Sequence, residues 1–294
     1  MKTDTKRLIL FFTLTGCFLL CLSVLYFYFR SDFLLLALML TPALSSILTR
    51  VITHEGAQAL YLKPHWRGNV RWYLAAWLGT PAIAFAGAAL YFLLFPEQWD
   101  PMHASFFLES GAATPEAYAG TLLTTIPLAI LVNPLMGLVQ CFGEEFAWRG
   151  YLLPQLCRRM ASPWAVLLSG GIWGLWHAPV VAMGYNYGSG HPAANIFAMV
   201  LFCMALGTIA SFLFLQTGSV WPCVLFHAAV NGIDLWTPES LFMSEPSNPF
   251  LGPNLTGILG GAGFLALACL CFAVIWKRQG SRRCAQAPVW AGSV

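Results

Sequence analysis

The chain has 294 residues, of which 58% are hydrophobic and only 9% are charged. Ordinary soluble domains run about 45–50% apolar and about 25% charged, so this composition excludes intrinsic disorder and leaves too few charges to coat a water-soluble globule. A formal charge of +3 is too small to argue for a nucleic-acid partner, and most of the length is therefore assigned to a bilayer.

A bilayer core of about 30 Å needs about 20 helical residues. Eight apolar segments meet that length, at about 8–29, 33–52, 73–95, 121–148, 163–184, 195–216, 219–236 and 255–276. The expected fold is an all-α, polytopic membrane helix bundle of about eight transmembrane helices. Leu14-Thr15-Gly16-Cys17 in the first segment looks like a lipoprotein cleavage box. Residues 18–28 stay apolar beyond Cys17, however, so the segment is expected to remain as an uncleaved span. The long loops are 53–72, which is basic, and 96–120, which is acidic. In the fourth segment Asn133-Pro134 marks a helix distortion with a satisfied amide, and Trp148 and Arg149 fall near the interface end. The aromatic residues Trp148, Tyr151, Trp164, Trp221 and Trp236 read as interface belts. In chain order the divisions are 1–120, with the first three helices, a core of helices four to seven at 121–236, and a final helix with a basic tail at 237–294.

Basic residues set the orientation. With a cytoplasmic N-terminus, one side holds Lys2, Lys6, Arg7, Arg50, Lys63, Arg67, Arg71, Arg149, Arg158, Arg159, Lys277, Arg278, Arg282 and Arg283, and only Arg30 falls on the other. The positive-inside rule then puts both termini in the cytoplasm. The nine cysteines lie mostly in apolar runs with no CxxC pair and no zinc-like spacing, so no disulfide framework is expected.

A charge at the centre of a membrane helix costs about 2.5–3.5 kcal/mol on insertion scales. This charge-poor chain nevertheless places Glu144 and Glu145 in its fourth segment, His177 in its fifth, and His227 and Asn231 in its seventh, at comparable depths. That is what a shared interior cavity requires. Glu145 and Arg149 are four apart with the acid first, the favourable order for an intrahelical pair. Glu144 points about 100° away, toward a different partner. Trp173 with His177, and His227 with Asn231, share single faces. A carboxylate in an apolar cavity can serve as a general base toward water. A tetrahedral intermediate needs donors for its oxyanion, and an imidazole and an amide on one helix face supply two.

Three blocks carry a resemblance. Glu144-Glu145-Phe-Ala-Trp-Arg149 fits EExxxR, Trp173-Gly-Leu-Trp-His177 fits FxxxH with Trp in place of Phe, and His227-Ala-Ala-Val-Asn231 fits HxxxN. In this order, over about 125–235, they resemble the CPBP family, which groups type II CAAX prenyl endopeptidases with bacteriocin-processing and immunity proteins. The resemblance implies an intramembrane endopeptidase. Glu144 would be its general base, His177 would bind and polarise the water, His227 and Asn231 would stabilise the oxyanion, and Glu145 and Arg149 would support the site. No cofactor is expected. The alternative is a zinc ion held by Glu144, His177 and His227 with an open fourth position, although no HExxH helix is present.

The implied partners are the lipid bilayer and a peptide or prenylated-protein substrate. The expected location is a multi-pass position in a bacterial inner membrane. Two other functions compete: a non-catalytic immunity or scaffold protein of the same family, and a proton-coupled transporter built on buried Glu and His. The transporter lacks paired interrupted helices in two halves.

Overall fold

The computed structural model describes residues 3–278. Lys2, Arg282, Arg283 and Cys284, used above for orientation and cysteine reading, lie outside the described residues. All regular structure among the described residues is helical. Helix α1 is Thr3–Phe29, α2 Asp32–Ile52 and α3 Val70–Leu94. Then come α4 Ser105–Ser110, α5 Pro115–Leu131, α6 Asn133–Met136 and α7 Leu138–Ala147. A π-helical turn at Trp148–Leu152 leads into α8 Leu153–Cys157. Next are α9 Ser162–Trp176, α10 Ala178–Ala182, α11 Pro192–Thr217, α12 Trp221–Asp234, α13 Pro238–Phe242 and α14 Ala262–Arg278.

Four helices among the described residues are long and apolar enough to cross a membrane: Asp4–Phe29, Asp32–Ile52, Val70–Leu94 and Pro192–Thr217. They coincide with the first, second, third and sixth of the eight predicted segments. The other four are broken or shorter, for identifiable reasons. The predicted 121–148 segment is interrupted around Val132–Gly137, where Pro134 lacks an N–H for the helix ladder. The predicted 163–184 segment breaks at His177, two residues before Pro179. Helix α12 has 14 residues. The last segment begins in glycine-rich turns, so its helix starts only at Ala262. Many large apolar side chains face outward, including Leu20 at 67%, Phe33 at 74%, Leu93 at 79% and Leu123 at 77% exposed. An outer surface of that character suits lipid and not water.

The chain divides into two compact units. Among the described residues, the first comprises 3–72, 138–224 and 268–278, and the second 73–137 and 225–267.

In the first unit, glycines let helices approach at backbone distance. A Cβ on Gly143 of α7 would lie 2.5 Å from the Met39 carbonyl oxygen of α2. On α9, Gly170 and Gly174 form a GxxxG stripe against α11. A Cβ there would lie 2.8 Å from the Met204 Cα and 2.5 Å from the Val200 Cα. Small residues serve this purpose in membrane helices, where van der Waals packing drives association. The loop after α2 is tied down by buried Arg50, which donates to the carbonyls of Gln58 at 2.9 Å and Ala59 at 3.3 Å. Arg50 also lies 5.1 Å above the Tyr151 ring, and the Tyr151 hydroxyl donates to Glu55 at 3.4 Å. These contacts fix the π turn that carries Arg149. Trp148 and Tyr151 are each 1% exposed, which corrects their reading as interface-belt residues: they face the protein interior. Trp164, at 55% exposed, keeps that reading.

In the second unit, the Trp77 indole donates to the Ile130 carbonyl at 2.8 Å and the Tyr118 hydroxyl to the Leu241 carbonyl at 2.7 Å. The Asn133 amide donates to the Gly232 carbonyl at 3.0 Å. This is the satisfied amide expected at the Asn133-Pro134 distortion, and it ties α6 to the C-terminal turn of α12.

Candidate active site

The first unit brings together Glu144, Glu145, Arg149, Trp173 and His177. Glu144 and Glu145 end α7 and are 1% and 0% exposed. Arg149, also 0% exposed, lies in the π turn immediately after. Such turns occur often at functional sites. Arg149 Nη1 donates to Glu145 Oε1 at 2.7 Å, the pair expected from the four-residue spacing. The guanidinium also lies 4.6 Å above the Trp173 ring.

Glu144 turns to another side. Its Oε2 accepts the Trp173 indole N–H at 2.6 Å and the Trp148 indole N–H at 3.4 Å. The different partner expected for Glu144 is therefore an indole on α9.

His177 sits where α9 breaks. Its backbone N–H bonds to the Gly174 carbonyl at 3.1 Å, three residues back, which releases the Trp173 carbonyl from the usual i→i−4 pairing. The imidazole fills that place, with Nδ1 2.9 Å from the Trp173 oxygen. A carbonyl only accepts, so Nδ1 carries the proton and Nε2 is the acceptor of the neutral ring. Trp173 thus touches both candidate groups: its indole holds Glu144 and its carbonyl holds His177. The Trp173 and His177 rings lie 5.8 Å apart, and Trp176 packs edge-on to His177 at 4.9 Å.

His227 and Asn231 lie on α12, within the second unit. They are one helical turn apart on one face, and His227 is 6% exposed. Asp234 ends the same helix and follows at i+7, on that face. It lines a small apolar cavity with Thr125 and Ala129 of α5 and Ala84 and Ala88 of α3.

Sequence reading missed three features. Trp148 read as an interface-belt aromatic and Trp173 as an aromatic at the first FxxxH position, yet both are hydrogen-bond donors to a carboxylate. Cys203 of α11 places its Sγ 3.8 Å from His177 Nδ1; only an unusual polarity at that helix position could have flagged it, and cysteine carries none. Asp234 was a visible acid in an apolar segment that went unused.

Zinc needs several ligands around one point. Among the described residues no three His, Cys, Asp or Glu side chains gather within reach of one metal ion. Oε2 of Glu144 is also occupied by N–H donors.

The fold and site define a polytopic helical membrane protein with a buried carboxylate linked through one tryptophan to an imidazole. Residues 125–233, a little over a third of the chain, match the family described as Type II CAAX prenyl endopeptidase Rce1-like. The match supports the CPBP, or CAAX protease, family over this stretch, and CAAX-type intramembrane protease activity in general. The matched residues contain all six predicted site positions. No curated protein matches the chain.

Proposed function

We propose that the protein is an intramembrane endopeptidase that hydrolyses a peptide bond of a membrane-associated substrate, using a water activated by Glu144. A CAAX-type prenylated protein is one such substrate, and another membrane-bound peptide is equally compatible with the chemistry. The observation that carries the reading is the double role of Trp173, which links the buried Glu144 carboxylate to the His177 imidazole.

In this reading Glu144 takes a proton from water as the water oxygen attacks the substrate carbonyl carbon. His177, with Nδ1–H committed to the Trp173 carbonyl, hydrogen-bonds the water through Nε2, takes over the proton that Glu144 removed, and passes it to the departing amine as the C–N bond breaks. By the family resemblance, His227 and Asn231 would be the oxyanion donors, a contribution worth about 3–4 kcal/mol per donor in other hydrolases. Glu145 and Arg149 hold the frame around Trp173. Both termini are assigned to the cytoplasm of a bacterial inner membrane, which the skewed distribution of basic residues supports.

The test uses the purified full chain, wild type against Glu144→Gln. Both are assayed on a fluorogenic prenylated peptide and on a solubilised membrane proteome. Cleavage by the wild type that vanishes in the variant is expected. Cleavage that survives the substitution overturns the reading. A cellular phenotype that persists in Glu144→Ala at normal membrane levels would instead assign a scaffold or immunity role.

A further inference from the structure

The Glu144 carboxylate is held from one side only. Among the described residues, its hydrogen bonds all end on Oε2, from Trp173 at 2.6 Å and Trp148 at 3.4 Å. Oε1 is left to face a reactant. The shorter bond joins an N–H to a carboxylate, and hydrogen bonds to a charged group are roughly twice as strong as neutral ones. Its donor is unusually placed, because Arg149 lies 4.6 Å over the same indole face. A cation there draws electron density from the ring and makes its N–H a better donor. Arg149 is held in turn by Glu145 at 2.7 Å. It is backed by Gly207 of α11, where a Cβ would lie 3.0 Å from Nη2. Trp173, Arg149, Glu145 and Glu144 are each at most 3% exposed, so solvent does not compete for these contacts.

We infer that Trp173 is a positioning residue for the hydrolysis: its N–H, polarised across the ring by Arg149, pins Oε2 of Glu144 and commits Oε1 to the attacking water. This rests on the reading of Glu144 as general base. It is a property of this chain, because the phenylalanine usual at the first position of FxxxH has no N–H to give. Trp148 is the weaker second holder of the same oxygen. The device fixes which oxygen acts and the angle from which it meets the water, and such orientation is a direct contribution to rate.

The experiment compares wild type with Trp173→Phe, which keeps an aromatic wall and removes the donor. The expected result is a kcat lower by about 10- to 100-fold with KM within about twofold, the size of loss that follows removal of a hydrogen bond to a charged group. The second readout is the indole proton resonance in ¹H–¹⁵N spectra. Wild type should show one strongly downfield indole proton, absent in Trp173→Phe and shifted upfield in Glu144→Gln, where the acceptor becomes neutral. If Trp173→Phe does not fold, benzothienylalanine in place of Trp173 keeps the bicyclic shape, puts sulfur where the N–H was, and should give the same kcat loss.

A variant lacking the N–H with kcat within twofold of wild type overturns the inference. So does a Trp173 indole proton that ignores Glu144→Gln. Failure of the underlying reading looks different: cleavage then survives Glu144→Gln, whereas failure of the positioning role leaves Glu144→Gln inactive beside a fully active Trp173→Phe.

Discussion

Arg149 and Glu145 form an ion pair at 2.7 Å with neither side chain exposed to solvent. A buried pair is poor evidence of net stability, because desolvation offsets much of its attraction. Breaking it from one side is another matter. Arg149→Met leaves a buried carboxylate without its cation, and the expected loss is about 3–5 kcal/mol. Glu145→Gln combined with Arg149→Met should recover much of that loss. Thermal unfolding of the three variants in detergent checks both statements. A double variant no more stable than Arg149→Met would mean that the arginine acts through packing and not charge.

The packing under Arg149 makes a second prediction. A Cβ on Gly207 would lie 3.0 Å from both Arg149 Nη2 and the Gly170 Cα, so it cannot be added without moving the arginine or separating α9 from α11. Gly207→Ala should cost about 1–3 kcal/mol, the usual penalty of overpacking, and should lower cleavage as Arg149 leaves the Trp173 ring. Gly171, one residue along α9 from Gly170, is the control. Its Cβ would meet nothing nearer than the Met204 Sδ at 4.0 Å. Gly171→Ala should be neutral or gain a few tenths of a kcal/mol from helix propensity. Equal losses at both positions would show that the stripe tolerates no added methyl and that Arg149 is not the cause.

The sequence made Glu144, Glu145 and His177 visible because charge is scarce in this chain, and an acid in an apolar run stands out. The four-residue spacing of Glu145 and Arg149 also predicted their pair correctly. The four segments that form long continuous helices were legible from hydropathy alone. The others were not, because hydropathy counts apolar residues and is blind to a missing N–H. Pro134 and Pro179 mark where α5 and α9 end, and the break at His177, whose N–H turns to Gly174, is what frees the Trp173 carbonyl for the imidazole. Trp148 was misread for a related reason. An indole is amphipathic, so its sequence position cannot say whether the N–H meets interfacial water or a buried carboxylate. Cys203 left no trace at all, since cysteine inside an apolar helix reads as a small hydrophobe.

Cys203 invites a thiol-protease reading, with its Sγ 3.8 Å from His177 Nδ1. The imidazole nitrogen on that side is the wrong one. Nδ1 donates to the Trp173 carbonyl at 2.9 Å and so cannot take the thiol proton. The thiol is 2% exposed and donates to the Met199 Sδ at 3.6 Å. Cys203→Ala should therefore keep cleavage within about threefold of wild type, the modest change expected from losing one small packed group. A thiol-alkylating reagent should leave the rate unaffected in both proteins. Abolished cleavage in a folded Cys203→Ala protein would move the nucleophile from water to sulfur.

Metal dependence separates the two ways of using Glu144. As a zinc ligand its carboxylate would point a lone pair at the ion. Here Oε2 accepts N–H groups from Trp173 and Trp148, which commits that oxygen to hydrogen bonding. A general base would use the other oxygen on a water, whereas a zinc ligand would use it on the ion. The expected outcome is that prolonged dialysis against excess chelator leaves the cleavage rate within experimental scatter, while Glu144→Gln removes it. Metal analysis of the purified chain before and after dialysis completes the measurement. Stoichiometric zinc lost in step with activity, and restored with it on adding zinc back, would replace the glutamate-and-water mechanism with a metal-centred one.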